Sequence, residues 1–300
     1  VSALRYREVQ PPADLRWAVE CLWFAEGPAG GAERIVPDGC PELVLQLGGE
    51  MRAGDDGGPL RAQPRGLLVG QRSRALLVVP GSAFRTVAIR LRPAALGRVL
   101  HDEADLVTDG WGSLEDLFGR DGRVLLARVE DAVTDEERCA MLAAFLRRRL
   151  ERSRPDLPAD GAVEVVRRAQ GRITVRALRT ATGISERTLE RAFLREVGLP
   201  ARTLAAVIRV QATLLLRDEE PSWARLAAEL DYADQPHLTR EFRKVAGRPP
   251  RALLEELGPL AKAFVDPGRL RGLLGVGSVQ DAGPGPPRRM SPPFPSRSDR

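Results

Sequence analysis

The chain is poor in the side chains on which metal and thiol chemistry are built. Of 300 residues only two are histidine, His101 and His237, and three are cysteine, Cys21, Cys40 and Cys139. No Cys/His set has zinc spacing, and no glycine-rich loop has the form that cradles a phosphate. His101, Asp102 and Glu103 are adjacent, but consecutive side chains do not converge on one point of a helix or strand. Neither a metal nor a cofactor is therefore expected. An odd number of widely spaced cysteines, with no secretory leader ahead of them, suits a reducing cytoplasm. No apolar run approaches the ~20 residues that span a bilayer, so no membrane is expected as a partner. Lysine is nearly missing as well: only Lys244 and Lys262 occur, so almost all positive charge is arginine.

What is present divides the chain. Residues 1–160 carry 22 Lys/Arg against 25 Asp/Glu, whereas residues 161–262 carry 18 against 13. A basic excess confined to one segment is what nucleic-acid binding requires, although five charges alone describe only a solvated surface. Three hundred residues suffice for two domains with sizeable cores. In the first half, Arg34–Val36, Leu43–Leu47, Leu67–Val69, Ala75–Val79 and Phe84–Leu91 read as short strands between Pro and Gly punctuation. The spacing suggests a small barrel or sandwich. Residues 48–66, Gly-rich and charged, read as a long mobile hairpin loop. After Pro93 the pattern turns helical, over Ala94–Leu100, Leu114–Phe118, Arg123–Val133 and Asp135–Arg152. In the last of these Cys139, Leu142, Phe145, Leu146 and Leu150 form one stripe, either core or a dimer face. The expected fold class is α+β: a strand-rich N-terminal barrel-like domain with following helices over 1–152, a Pro-containing linker at 153–160, an all-α domain over 161–262, and a disordered Gly/Pro/Ser/Arg tail at 263–300.

The all-α segment is organised around Gly183–Phe193, GISERTLERAF. Gly183 permits a turn with positive φ, and Ser185 stands where a helix N-cap belongs. Ile184, Leu189 and Phe193 fall on one face of the following helix, with Arg187, Thr188, Glu190 and Arg191 on the other. The preceding segment, Thr174–Thr182, reads as a helix capped by Thr174. The same pattern recurs. Ser222–Asp231 is a capped helix, Asp231-Tyr232-Ala233-Asp234 a turn, and Gln235–Val245 a second helix with Leu238, Phe242 and Val245 inward. Between them runs the apolar-faced helix Thr203–Arg217. Helix, turn and helix with a polar outer face is the form of a helix-turn-helix.

Two such units joined by one helix, ending in Gly247-Arg248-Pro249-Pro250, resemble the AraC/XylS family of bacterial transcription regulators over roughly residues 160–257. The resemblance implies a double helix-turn-helix domain acting on double-stranded DNA, with RNA polymerase as a further partner. Carried over by position, Arg187, Thr188, Glu190, Arg191, Gln235, His237, Thr239 and Arg240 face bases, while Ser185, Arg195, Arg243 and Lys244 hold phosphates. An Arg187–Glu190 surface ion pair is the competing reading. The sequence departs from the family pattern at Arg179, Pro200, Asp231 and Leu238. In the first half, Val36–Leu43 (VPDGCPEL), Val69–Arg72 (VGQR) and Ile89–Pro93 (IRLRP) resemble a barrel-like domain of unknown ligand that precedes AraC-type readers. That implies a sensing or oligomerising role, with room for a small-molecule effector and for a homodimer.

A second function class stays open at this point: a thiol enzyme or repair protein with a DNA-binding tail, using Cys40 or Cys21. A catalytic cysteine needs a base within hydrogen-bond reach, and His237 belongs to the other half of the chain. A tight turn with a small buried thiol is the plainer reading of Asp38-Gly39-Cys40.

Overall fold

Alternation with a period of two decides how the first ninety residues fold. In Glu42–Gly48 the side chains of Leu43 and Leu45 point one way and those of Glu42, Val44 and Gln46 the other. In Phe84–Leu91, Val87, Ile89 and Leu91 oppose Thr86, Ala88 and Arg90. A strand apolar on both faces must be covered on both, and that is the arrangement found. The computed structural model describes residues 3–151, 158–217, 220 and 222–274. Its strands are β1 (Arg5–Val9), β2 (Val19–Gly27), β3 (Glu33–Ile35), β4 (Glu42–Gly48), β5 (Met51–Asp55), β6 (Arg61–Ala62), β7 (Gly66–Val69), β8 (Leu76–Pro80), β9 (Phe84–Leu91) and β10 (Trp111–Ser113). They form an antiparallel six-stranded sheet, β1-β2-β9-β4-β7-β10, facing a four-stranded sheet, β3-β8-β5-β6. Trp23, Val44, Met51, Leu76, Val78 and Phe84 line the space between the sheets.

The outer face of the larger sheet is covered by helices α1 (Leu96–Leu100), α2 (Leu114–Phe118), α3 (Arg120–Asp131) and α4 (Asp135–Leu150). Thr134 and Glu137 cap α4 reciprocally, each side chain meeting the other's backbone N–H. Leu142, Phe145, Leu146 and Leu150 are buried against the sheet, so the α4 stripe is core and offers no dimer face.

The remaining helices are α5 (Pro158–Arg168), α6 (Val175–Thr182), α7 (Glu186–Ala192), α8 (Ala201–Leu216), α9 (Trp223–Glu229), α10 (Gln235–Ala246), α11 (Pro250–Glu256), α12 (Pro259–Phe264) and α13 (Pro267–Leu274). Eleven residues of α8 are buried, and the other helices pack around it.

Three sequence expectations are corrected. Residues 48–66 are not one long loop: β5 pairs with β8 and β6, because Met51 and Ala53 supply the inward face that the Gly-rich composition obscured. Residues 158–160 open α5 and are not linker, with Ala159 buried and its N–H donated to Glu196 (2.9 Å); 153–157 lie outside the described residues. The expected disordered tail begins too early. α12 ends at Phe264 and α13 follows, because Leu270, Leu273 and Leu274 at helical spacing complete the helical core. Residues 275–300 lie outside the described residues.

The strand-rich and helical halves meet over a broad seam. Gln211 of α8, fully buried, donates to the Pro37 carbonyl (2.6 Å). Gly39, at φ +80°, lies against Leu204 and Ile208, where a Cβ would meet Leu204 Cδ1 at 2.9 Å. Arg167 pairs with Glu20 (2.6 Å), and Arg98 with Asp160. The Ala75 N–H donates to the Val245 carbonyl (2.7 Å).

Candidate DNA interface

Short polar side chains start each helix of the two pairs. Thr174 Oγ1 accepts from the Ala177 N–H (3.1 Å) and Ser185 Oγ from Thr188 (3.3 Å). Ser222 Oγ accepts from Arg225 (3.4 Å), and Asp234 Oδ1 from His237 (2.6 Å). Between α6 and α7 the chain turns at Gly183, φ +69°. Between α9 and α10 it turns at Asp231, φ +55°. Asp tolerates this left-handed geometry better than most residues, which is why glycine is dispensable there. The other three departures from the family pattern are also accommodated. Arg179 reaches Glu186 across the first turn (3.1 Å), Pro200 caps α8, and Leu238 is fully buried.

Each pair presents one apolar and one polar face, as the sequence pattern requires. Leu178, Leu189 and Phe193 of the first pair, and Leu238, Phe242 and Val245 of the second, are buried in one core. On α7, Arg187, Thr188, Glu190 and Arg191 are exposed; on α10, Gln235, Arg240, Arg243 and Lys244 are exposed. Arg187 and Glu190 form no ion pair with each other. Nor do Arg191, Arg240, Arg243 or Lys244 pair with any carboxylate among the described residues. Arginines left unpaired on an exposed helix face keep all their donors available to a polyanion.

Five of the expected contact residues are more constrained. His237 is half-buried, with Nδ1 accepting from the Ala233 N–H (3.3 Å) and its ring edge-on to Tyr232. Thr239 Oγ1 donates to the Gln235 carbonyl (3.0 Å). The hydroxyls of Ser185 and Thr188 hydrogen-bond one another (2.9 Å). Arg195 lies beyond α7, in the π-helical turn Phe193–Val197, and pairs with buried Glu196 (2.8 Å).

The strand-rich half touches the ends of both exposed helices. A Cβ on Gly97 of α1 would come within 2.5 Å of the Arg195 carbonyl, so only glycine permits that approach after α7. Thr108 Oγ1 donates to the Gly198 carbonyl (2.6 Å). Beyond α10, Asp56 pairs with Arg34 (3.2 Å) and Arg248 (2.7 Å). The hydrogen bond from Arg34 holds the Asp56 carboxyl below the usual range.

The thiols are placed unfavourably for chemistry. Burial pushes the Cys21 thiol up to about 12 and the Cys40 thiol well above its ordinary value, with Asp38 adding to the latter. A nucleophilic cysteine needs the opposite shift. Iodoacetamide at neutral pH is expected to label both far more slowly in the native chain than in urea. Native Cys40 labelling at the unfolded rate would return the thiol reading to contention.

Comparison with known proteins agrees with this division. Residues 178–256 match the family model of a helix-turn-helix domain (HTH_18), and residues 7–110 match a domain of unknown function, DUF6597. No curated protein matches the chain. Among solved structures, ToxT from Vibrio cholerae O395 bound to (E)-4-(8-methylnaphthalen-1-yl)but-3-enoic acid is 11% identical, over 86% of this chain and 100% of that one, at a TM-score of 0.45. Unsaturated fatty acid bound wild-type ToxT from Vibrio cholerae strain SCE256 is 9% identical, over 86% and 96%, at 0.44. The AraC-like transcriptional activator CuxR is 12% identical, over 67% and 83%, at 0.25. No single helix among the described residues is long and apolar enough to cross a membrane. With the helix-turn-helix match lying on the capped pairs and the second match on the strand-rich half, the chain carries a helix-turn-helix domain, its reader, behind a DUF6597 domain.

Proposed function

We propose that the chain reads two successive major grooves on one face of double-stranded DNA, with α7 in one and α10 in the next, and that its strand-rich half senses a small molecule. The observation that carries the first part is the recurrence of a capped helix pair whose second helix exposes unpaired arginines. α8, 16 residues long, spans ~24 Å at ~1.5 Å per residue. With the body of each unit added, α7 and α10 come to roughly the ~34 Å of one DNA turn. One chain then suffices for two short boxes about 10 base pairs apart.

Within those boxes Arg187 and Arg191 suit guanine O6/N7, Glu190 suits cytosine N4, and Gln235 suits adenine. Arg240 completes the second set. His237 and Thr239 contribute through what their own helix leaves free, Nε2 and a methyl group. Arg243 and Lys244, nearer the helix end, hold phosphates, which position without specifying. Because α10 opens Gln235-Pro236 and two of its polar groups are already engaged, it specifies less than α7.

Selection of the full chain against random DNA tests this. Two boxes one turn apart are expected. Arg187→Ala and Arg191→Ala should each cost ~1–3 kcal/mol and relax one or two positions. Arg243→Ala should weaken all sequences alike and flatten the salt dependence. A single contiguous box, or Arg191→Ala with unchanged preference, would show the reading face to be wrongly assigned.

A further inference from the structure

Between the two sheets lies a cavity of about 110 Å³. Its walls are mostly apolar, with Trp23, Val44, Met51, Val78 and Phe84 from the strands. Its lid comes from the helical half: Leu260 and Phe264 of α12. The Phe264 ring stands edge-on to Trp23 at 5.5 Å and packs against Tyr6 at 5.9 Å. Dry apolar cavities of ~150 Å³ take benzene, so this smaller volume takes at most a single ring.

Polar groups in the wall decide what that ring must carry. Asp38 is spent, its Oδ1 accepting the Cys40 N–H (2.8 Å) and its Oδ2 meeting Arg269. Arg72 has both terminal nitrogens engaged, by the Asp109 carbonyl and by Asp55 (2.5 Å). Glu42 differs. Its Oε1 accepts Trp23 Nε1 (3.0 Å) and Arg90 Nε (2.8 Å), while Oε2 accepts no hydrogen bond from the described residues. The surrounding cluster holds Glu8, Asp38 and Glu42 against Arg90 and Arg269, one negative charge in excess. Burial outweighs Arg90 and raises the Glu42 carboxyl, with Asp38 adding to the rise. The Phe264 ring already carries the Arg90 and Arg269 guanidiniums (4.9 and 5.4 Å), so the free carboxylate oxygen is what recruits a cation, and the excess negative charge repels a carboxylate ligand.

We propose that the cavity binds a small organic amine of about one ring, with its ammonium group on Glu42 Oε2 and Phe264 closed over it. The proposal rests on the sensing role given to the strand-rich half. Two routes lead from the site to the reader. α12 continues into α13, whose leucines lie in the reader core, and Arg167 Nε donates to the Leu273 carbonyl (2.8 Å). The loop Val36–Cys40 lines the cavity on one side and packs on α8 through Gly39 and Pro37 on the other. That placement accounts for the VPDGCPEL motif without a thiol reaction.

Calorimetry on the full chain tests the site with three ligands of one shape: benzylamine, ethylbenzene and benzoate. Benzylamine should bind at least tenfold more tightly than ethylbenzene, and benzoate should not bind. Glu42→Gln should abolish that preference while leaving ethylbenzene unchanged. Val44→Phe, which fills the cavity and removes no charge, should abolish both. Equal binding of amine and hydrocarbon, a preference for benzoate, or no binding at millimolar concentration overturns the proposal; the wild-type comparison alone decides it if Glu42→Gln does not fold. The DNA selection is scored separately. A chain that selects DNA and ignores benzylamine sinks this inference alone, whereas one that binds benzylamine and selects no DNA keeps the site and sinks the regulator.

Discussion

A chain ending at Lys262 is expected to melt far below one ending at Leu274. The shorter chain keeps both helix pairs and all of the residues assigned to DNA. It loses Leu270, Leu273 and Leu274, each at most 4% exposed in the reader core. It also loses Phe264 from between the sheets and the Arg269 partner of Asp38. Burial of a leucine contributes ~1.5–3 kcal/mol, so the three together contribute roughly 5–9 kcal/mol as an upper bound. A domain has only ~5–15 kcal/mol in total. A 161–262 fragment is therefore expected to be unfolded, and a fragment meant to bind DNA alone should run from Pro158 to Leu274. Thermal and urea melts of 1–262 against 1–274 check this. Equal midpoints would show that α13 decorates the reader without supporting it.

Helix starts and turns were legible because their chemistry is local. A Ser or Thr cap needs only its own next three residues, so the caps Thr174, Ser185 and Ser222 and both turns stand where the pattern put them. Phe84–Leu91 and Leu114–Phe118 were bounded correctly for a similar reason: Gly, Pro and Ser punctuate one or both ends. The failures share a different cause. β5 and β6 look like a loop, since Gly54, Gly57 and Gly58 dilute them; only the pairing of β5 with β8, some 25 residues on, and of β6 with β5 makes them strands. α13 was lost in a Gly/Pro-dense tail, although Leu270, Leu273 and Leu274 already stood at helical spacing.

The cavity was half-legible. Period two in Glu42–Gln46 places Glu42, Val44 and Gln46 on one face, and the same rule aligns Thr86 with Arg90. Two charged residues on the inward faces of neighbouring strands, Glu42 and Arg90, are themselves the sequence signal of a buried ion pair. That Phe264 of α12 would close the space was beyond reach, because a contact between residues 23 and 264 leaves no local mark.

Arg90→Met is expected to destabilise the chain by about 3–5 kcal/mol, the cost of removing one partner from a buried ion pair. Arg90 is 1% exposed near the C-terminal end of β9. It holds Glu42 (2.7 Å), Glu8 (3.1 Å) and Asp38 (3.4 Å), and its guanidinium lies over the Phe264 ring at 4.9 Å. Methionine replaces much of its volume, so the loss reports charge more than a void. The remaining carboxylates then share only Arg269, whose own contacts reach Asp38 and Glu8 and leave Glu42 alone. The sign of the pH effect follows. Glu42 is already raised in the native chain, and without Arg90 it rises further, so the folded variant binds a proton more readily than the unfolded one. Such a group adds stability that is full below its unfolded pKa, about 4.5, and is lost as pH climbs through the raised folded value. The deficit of Arg90→Met should therefore shrink as the pH is lowered toward 4.5 and grow toward 8, and Arg90→Met/Glu42→Gln should recover part of it at pH 8. Chemical denaturation of the three chains across that range decides it. A deficit independent of pH, with no recovery in the double variant, would mean that Arg90 acts by packing, and that the carboxylates around the cavity do not feel its charge.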